Sequence, residues 1–350
     1  MIKKVLRLCV IALCLLSMVA CGGIEVLEVP SLPTEESSVT EEPAVVKPTL
    51  YQNPLTGVRE LKKRERNQRP VAIMVNNISQ AQRVQCGLND ADLVFECLVE
   101  GGISRLMAVF YNVEKAGQIG TIRSARYSYA QLSQGLDAIY VHHGSDQKYA
   151  KPYMNNCGMD RYEIGSAAGF RENNGLATEH TLYTKGETLA EQLEESDFRV
   201  KNQKATKSVF KFGKKAVTPE NPCENVTYAM SSSYRTTFRY NETTGKYTRC
   251  PNGEIHRDYK SDKKTVTDNV FVLYAGHSYF EDNYHLQTLL SSGEGLYISK
   301  GGYQEIQWEK GDGNDPLKFT DKDGDPLTVN PGKSWIAFVP QGNQDMTEIE

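Results

Sequence analysis

The chain has 350 residues, with 40 Lys and Arg against 44 Asp and Glu and a formal net charge of −4. That balance excludes the basic footprint of a nucleic-acid binder. Eight cysteines without a C-x-x-C pair exclude a dense disulfide scaffold and zinc-ligand spacing, so no metal or cofactor is expected.

Residues 1–20 read as an export leader. Lys3, Lys4 and Arg7 precede an apolar run from Leu8 to Leu16, too short for a membrane span. Ser17-Met18-Val19-Ala20 then leads into Cys21, the pattern of a lipobox with lipid on the Cys21 thiol. Two acyl chains suffice for stable anchoring. The expected location is therefore extracytoplasmic, tethered to the membrane of a bacterium. Residues 21–50 carry six glutamates among Pro, Ser, Thr and Val and no aromatic. Such a stretch cannot bury enough surface to fold and reads as a disordered tether reaching roughly 30 Å.

The remaining residues exceed one ordinary core, so two parts are expected. The first, 51–205, reads as mixed α/β. Val71–Val75 is a short apolar strand ending in Asn76-Asn77. From Asp92 to Tyr111, two alternating runs flank Gly101-Gly102 and read as a hairpin with a primed turn. That register sets Leu98 opposite Arg105 and projects Glu96, Glu100 and Arg105 from one face. Ser124 reads as the N-cap of a helix reaching Gly135. Ala138–His142 is a further strand, after which His143-Gly144-Ser145-Asp146 opens a helix. Glu187–Ser196 is another helix. The second part, 206–345, is read as mostly β, with short strands at 208–212, 234–240, 270–274, 296–299 and 335–339 separated by turn signals. The fold class expected is α+β.

Chemistry concentrates at Gly120-Thr121-Ile122-Arg123-Ser124-Ala125-Arg126. Cations beside a helix N-terminus are disfavoured by its dipole, so something negative should offset Arg123 and Arg126. A bound anion is one answer, with Arg105, Arg123, Ser124 and Arg126 as its cradle. An internal network with Glu96 and Glu100 is the other. His142 and Ser145 lie where a strand ends, a common ligand position in α/β folds. Glu96, Glu100 and His142 are the candidates for acid/base chemistry, since adjacent carboxyls split their pKa values. A serine hydrolase lacks its Gly-x-Ser-x-Gly elbow. Asp321–Asp325 reads as a turn rather than a calcium loop, because the glycine falls too early. His256 and Asp258 share a strand face and read as a stabilising pair, and Trp308 and Trp335 as core or rim anchors. Cys86, Cys97, Cys157, Cys223 and Cys250 leave the pairing open.

Several segments together resemble the YerB-like lipoproteins, a two-part family of unknown function. They include Asn53-Pro54-Leu55-Thr56-Gly57, Arg69–Met74, Ala91–Glu96, Val99–Arg105 and, most specifically, Ile119–Arg126 and Asp137–His142. Tyr247-Thr248-Arg249, His256-Arg257-Asp258 and Asn330–Ile336 extend the likeness almost to the end. The resemblance implies surface anchoring and a two-part ectodomain, and implies no reaction. Three functions stay open: an envelope lipoprotein binding an anionic ligand or partner, an envelope enzyme acting on wall glycan or a phosphorylated precursor, and an assembly partner.

Overall fold

The computed structural model describes residues 49–350, and residues 48–350 form one unit. The leader, Cys21 and nearly all of the acidic tether lie outside the described residues. At the centre is a mixed sheet of eleven strands. Numbered along the chain they are β1 (Val71–Asn76), β2 (Leu93–Leu98), β3 (Ser104–Phe110), β4 (Ile139–His142), β5 (Arg161–Glu163), β6 (Asn221–Pro222), β7 (Asn269–Ala275), β8 (Ser292–Ser299), β9 (Gly302–Lys310), β10 (Leu317–Asp321) and β11 (Ser334–Pro340). Their spatial order is β6-β9-β8-β7-β11-β2-β3-β1-β4-β5, with β10 also on β9.

The apolar texture of β1, VAIMVN, follows from this order. It sits between antiparallel β3 and parallel β4, and all six residues are buried. A strand covered on both faces reads as a continuous apolar run. Alternate residues feed two cores. Val71, Ile73 and Val75 face a layer made by a five-stranded sheet, with Val226, Tyr228, Phe238 and Tyr247, and by α4 (Gly186–Glu194), with Leu189 and Leu193. Ala72 and Met74 face α2 (Tyr127–Gly135) and α3 (Ala150–Asn156), through Tyr129, Ala130, Leu132 and Met154. The remaining helix, α1 (Ser79–Gln82), is one turn.

The fold is therefore sheet-rich with few helices, and the four α-helices among the described residues all precede residue 195. Strands from either side of residue 206 share the main sheet, because β11 pairs in parallel with both β2 and β7. The expected β segments of the later half are present as 211–212, Tyr234–Asn241, β7, β8 and β11. Trp308 and Trp335 are both core residues.

Three local expectations need correction. The hairpin after β2 is closed by a turn over Glu100–Gly102 with Gly101 and Gly102 at φ +73° and +69°, and the Val99 amide donates to the Ile103 carbonyl. This longer connection sets Cys97, not Leu98, opposite Arg105. A one-residue slip reverses every face, so Glu96 and Arg105 point to opposite sides of the sheet. Second, Ser124 caps no helix. α2 starts at Tyr127 with Arg126 at the N-cap position, because residues 123–125 pair with neighbouring backbone instead of coiling: Arg123 donates to Met74, and Ala125 to Gly144. Third, α3 begins at Ala150 rather than near 143. The Asp146 carboxyl gathers the amides of Lys148, Tyr149 and Ala150 and so delays the first turn.

Other motifs settle as structure. His256 bonds to Thr265 Oγ1 and the Gln82 carbonyl, and Asp258 accepts from the Gly87 amide, so the two do not pair with each other. The turn at Asp321–Asp325 closes by Gly324 donating to the Asp321 carbonyl. All five cysteines of the described residues are free.

Asp92, at the start of β2, is 9% exposed and accepts from the Tyr111 amide and the Asn53 side chain. Burial pushes its carboxyl up to about 6, against the lowering effect of the Tyr111 amide and Lys333. A folded-state pKa above the unfolded value means stability that is full below about pH 4 and lost as pH rises through 6. The loss is on the order of 3 kcal/mol. Asp92→Asn should remove it. Subtracting variant from parent unfolding free energies across pH 4–7 isolates the effect, and a flat difference would refute the assignment.

Candidate functional site: an arginine cluster at the strand ends

The carboxyl ends of the parallel neighbours β1 and β4 meet the start of antiparallel β3, where Asn76 pairs with Arg105. Ligands commonly gather at such strand ends. Arg105 rises from the sheet floor and is 4% exposed; its Nη1 donates to the Ser124 carbonyl at 2.8 Å. Arg123, on the segment before α2, donates to the Glu179 carbonyl at 2.8 Å. Arg126 donates through Nη1 to its neighbour Ala125 at 2.9 Å and through Nε to Glu100 at 2.8 Å.

These bonds share a feature. Each guanidinium is oriented by a backbone carbonyl, which fixes its position without cancelling its charge. Among the described residues Arg126–Glu100 is the one ion pair formed by the three arginines. The Glu179 carboxyl is exposed; it approaches His180 at 3.9 Å and partly offsets Arg123 from beyond ion-pair distance. Burial, followed by repulsion from Arg126 and Arg123, pulls the Arg105 guanidinium down to about 9. It remains charged at neutral pH, at a cost in stability. Arg123 is lowered too, again chiefly by burial.

Around the arginines stand three histidines. His142 is 2% exposed; its Nδ1 donates to the Gly144 carbonyl at 2.8 Å, and burial lowers its pKa. His143 Nδ1 lies 3.0 Å from the Ile164 carbonyl. His180 contacts Asn76 at 2.7 Å and is held below the usual imidazole range by burial and then by Arg123. Neutral His142 and His180 add no charge of their own at pH 7. Ser145 bridges to Ala125, and its hydroxyl accepts from Gln147, so it lies beside the cluster rather than within it. Two of the larger clefts lie elsewhere, one of about 470 Å³ beside residues 202–209 and one of about 370 Å³ lined by Tyr274, Tyr303 and Thr347.

Glu96 belongs to a different constellation, on the opposite face of the sheet. It is fully buried, and four donors surround it: Asn77 Nδ2 at 3.1 Å, Ser104 Oγ at 2.7 Å, Tyr228 OH at 2.8 Å and Trp335 Nε1 at 3.1 Å. Asn77 Oδ1 in turn accepts from Arg249 Nη2 at 2.8 Å. The Arg249 guanidinium, also fully buried, lies 4.8 Å from the centre of the Trp335 ring. Asn77 thus relays between one buried carboxylate and one buried guanidinium, drawn from the two halves of the chain. Sequence reasoning missed this network and also His180. The Asn76-Asn77 pair closing an apolar strand was its one visible trace.

A sheet-rich protein with few helices and a cationic cluster at its strand ends is the class these features define. Residues 55–199 match the family described as Protein of unknown function (DUF3048) N-terminal domain, and residues 225–336 match its C-terminal domain. The chain belongs to that family. It is 33% identical over 300 residues to the Bacillus subtilis (strain 168) protein named "Putative lipoprotein YerB", covering 82% of this chain and 86% of the relative. The crystal structure of the YerB protein from Bacillus subtilis matches with a TM-score of 0.75 at 28% identity, over 86% of this chain and 99% of that one.

Proposed function

We propose that the chain is an extracytoplasmic lipoprotein, held to a membrane through lipid on Cys21, that binds an anionic envelope ligand or partner at Arg105, Arg123 and Arg126. The leader pattern and the relative's name support the anchoring. The observation that carries the binding reading is Arg105, a buried guanidinium bonded to a carbonyl, with no carboxylate of the described residues within 4 Å. Leaving such a charge buried and unpaired is ordinarily costly, so a counter-charge from outside is the economical resolution. An acid/base role for Glu96 finds no support in the geometry, since both oxygens are already occupied and neither reaches solvent.

A thermal-shift panel of phosphosugars, wall fragments and inorganic anions tests the reading, with Arg123→Ala alongside. A ligand at a hundred times its Kd stabilises by about 2.7 kcal/mol, a shift of several degrees. That shift should vanish in the variant, while its unliganded Tm falls by no more than a few degrees, since the half-buried side chain makes one hydrogen bond, worth about 1 kcal/mol net. A variant that is strongly destabilised, with no ligand response in the parent, would make these arginines structural.

A further inference from the structure

We infer that the group bound at the arginine cluster is a phosphate monoester in its dianionic form, rather than a carboxylate or a singly charged diester. This rests on the proposed anion-binding role of the same cluster. Three guanidiniums approach from three separate elements: Arg105 from β3, Arg123 from the connecting segment and Arg126 from the N-cap of α2. One carboxylate, Glu100, pairs with Arg126, and Glu179 offsets Arg123 only from a greater distance, so two of the guanidiniums have no carboxylate of the described residues within 4 Å.

A carboxylate offers one charge and two oxygens. A terminal phosphoryl group offers nearly two charges and three strong acceptor oxygens, which matches three guanidiniums in both charge and number. The start of α2 adds to the preference. Its N-cap position is occupied by Arg126, and no side chain caps the first turn. The first amides of a nine-residue helix thus have no side-chain cap and begin at Arg126, itself a member of the cluster, an arrangement suited to phosphate. The arginines are also held in advance by the Ser124, Glu179 and Ala125 carbonyls, so binding needs little side-chain ordering.

The pH dependence distinguishes this ligand class. A phosphate monoester loses its second proton near pH 6. If the dianion is what binds, the apparent affinity for methyl phosphate rises about tenfold between pH 5 and pH 7. The charged and titratable groups around the cluster are Glu100, Glu163, Glu179, His142, His143, His180, Arg161 and Arg171. Protonation of the histidines on acidification would favour any anion and so act with the opposite sign. Sulfate, doubly charged throughout this range, reports that contribution alone.

The experiment is a titration of the full chain in detergent with methyl phosphate, sulfate, dimethyl phosphate and acetate at pH 5, 6 and 7. Binding is read by thermal shift and by the ³¹P resonance. Methyl phosphate should bind at least tenfold more tightly than acetate or dimethyl phosphate at pH 7, and it alone should gain affinity as pH rises. Arg123→Ala, which removes a half-buried side chain with one hydrogen bond, should abolish the preference while remaining folded, and Arg126→Gln provides a second variant. Equal binding of all four anions with no pH trend would overturn the dianion inference and leave the anion-binding role standing. No binding of any anion would overturn both.

Discussion

Replacing Arg249 with Met is expected to lower the unfolding free energy by about 2–4 kcal/mol, since it removes three buried hydrogen bonds from a charged donor. The side chain is fully enclosed, and it donates to Asn77 Oδ1, to Tyr234 OH at 3.0 Å and to Gln85 Oε1 at 3.4 Å. Met fills comparable volume, so the loss reports the polar network rather than a cavity. With the guanidinium gone, Asn77 Oδ1 loses its strongest donor, and the Glu96 carboxyl remains in the core without its compensating charge. Chemical denaturation measures the loss. A double variant, Glu96→Gln with Arg249→Met, should recover a substantial part of it, because the buried charge is then removed from both ends. Additive losses would show that Glu96 and Arg249 do not communicate through Asn77. A single-variant loss below about 1 kcal/mol would put the network's importance in doubt.

Arg105→Met is expected to behave in the opposite way. The guanidinium makes one side-chain hydrogen bond among the described residues, to the Ser124 carbonyl, and sits beside two like charges. Removing it relieves burial and repulsion together, so the unliganded protein should be as stable as the parent or more stable. Binding of methyl phosphate should weaken at least 30-fold, since truncating one partner of a buried charge pair costs about 2 kcal/mol or more. This combination, stability kept and affinity lost, is the signature of a site whose strain serves a ligand. Denaturation and ³¹P titration on the same preparation measure both. Lost stability with retained binding would assign Arg105 to the framework instead.

The contrast between these two arginines explains which parts of the molecule could be read from the sequence. Apolar patterning and turn residues located seven of the eleven main-sheet strands, because burial leaves a direct trace in residue type: alternation where one face is covered, and a continuous run, as in VAIMVN of β1, where both are. Glu187 to Ser196 was recognisable as a helix, and α4 occupies Gly186–Glu194. The cluster at Arg123 and Arg126 was visible because its members are near in sequence and unusual beside a helix start.

What the sequence by itself determined, then, was the alternation of faces, the positions of the turns and the concentration of arginines before α2. Only the tertiary structure decided which face each charge occupies. One additional residue in the turn after β2 moved Arg105 opposite Cys97 and separated it from Glu96, since a strand's side chains reverse with every step. Likewise only the parallel pairing of β11 with β2 brought Trp335 to Glu96, and only the packing of the Tyr234–Asn241 and Lys246–Pro251 strands brought Arg249 to Asn77. These partners are 172 to 239 residues apart along the chain. Local propensity carries no information over such separations. Hydrogen-bond satisfaction in a closed core does, and it acts only once the strands are in place.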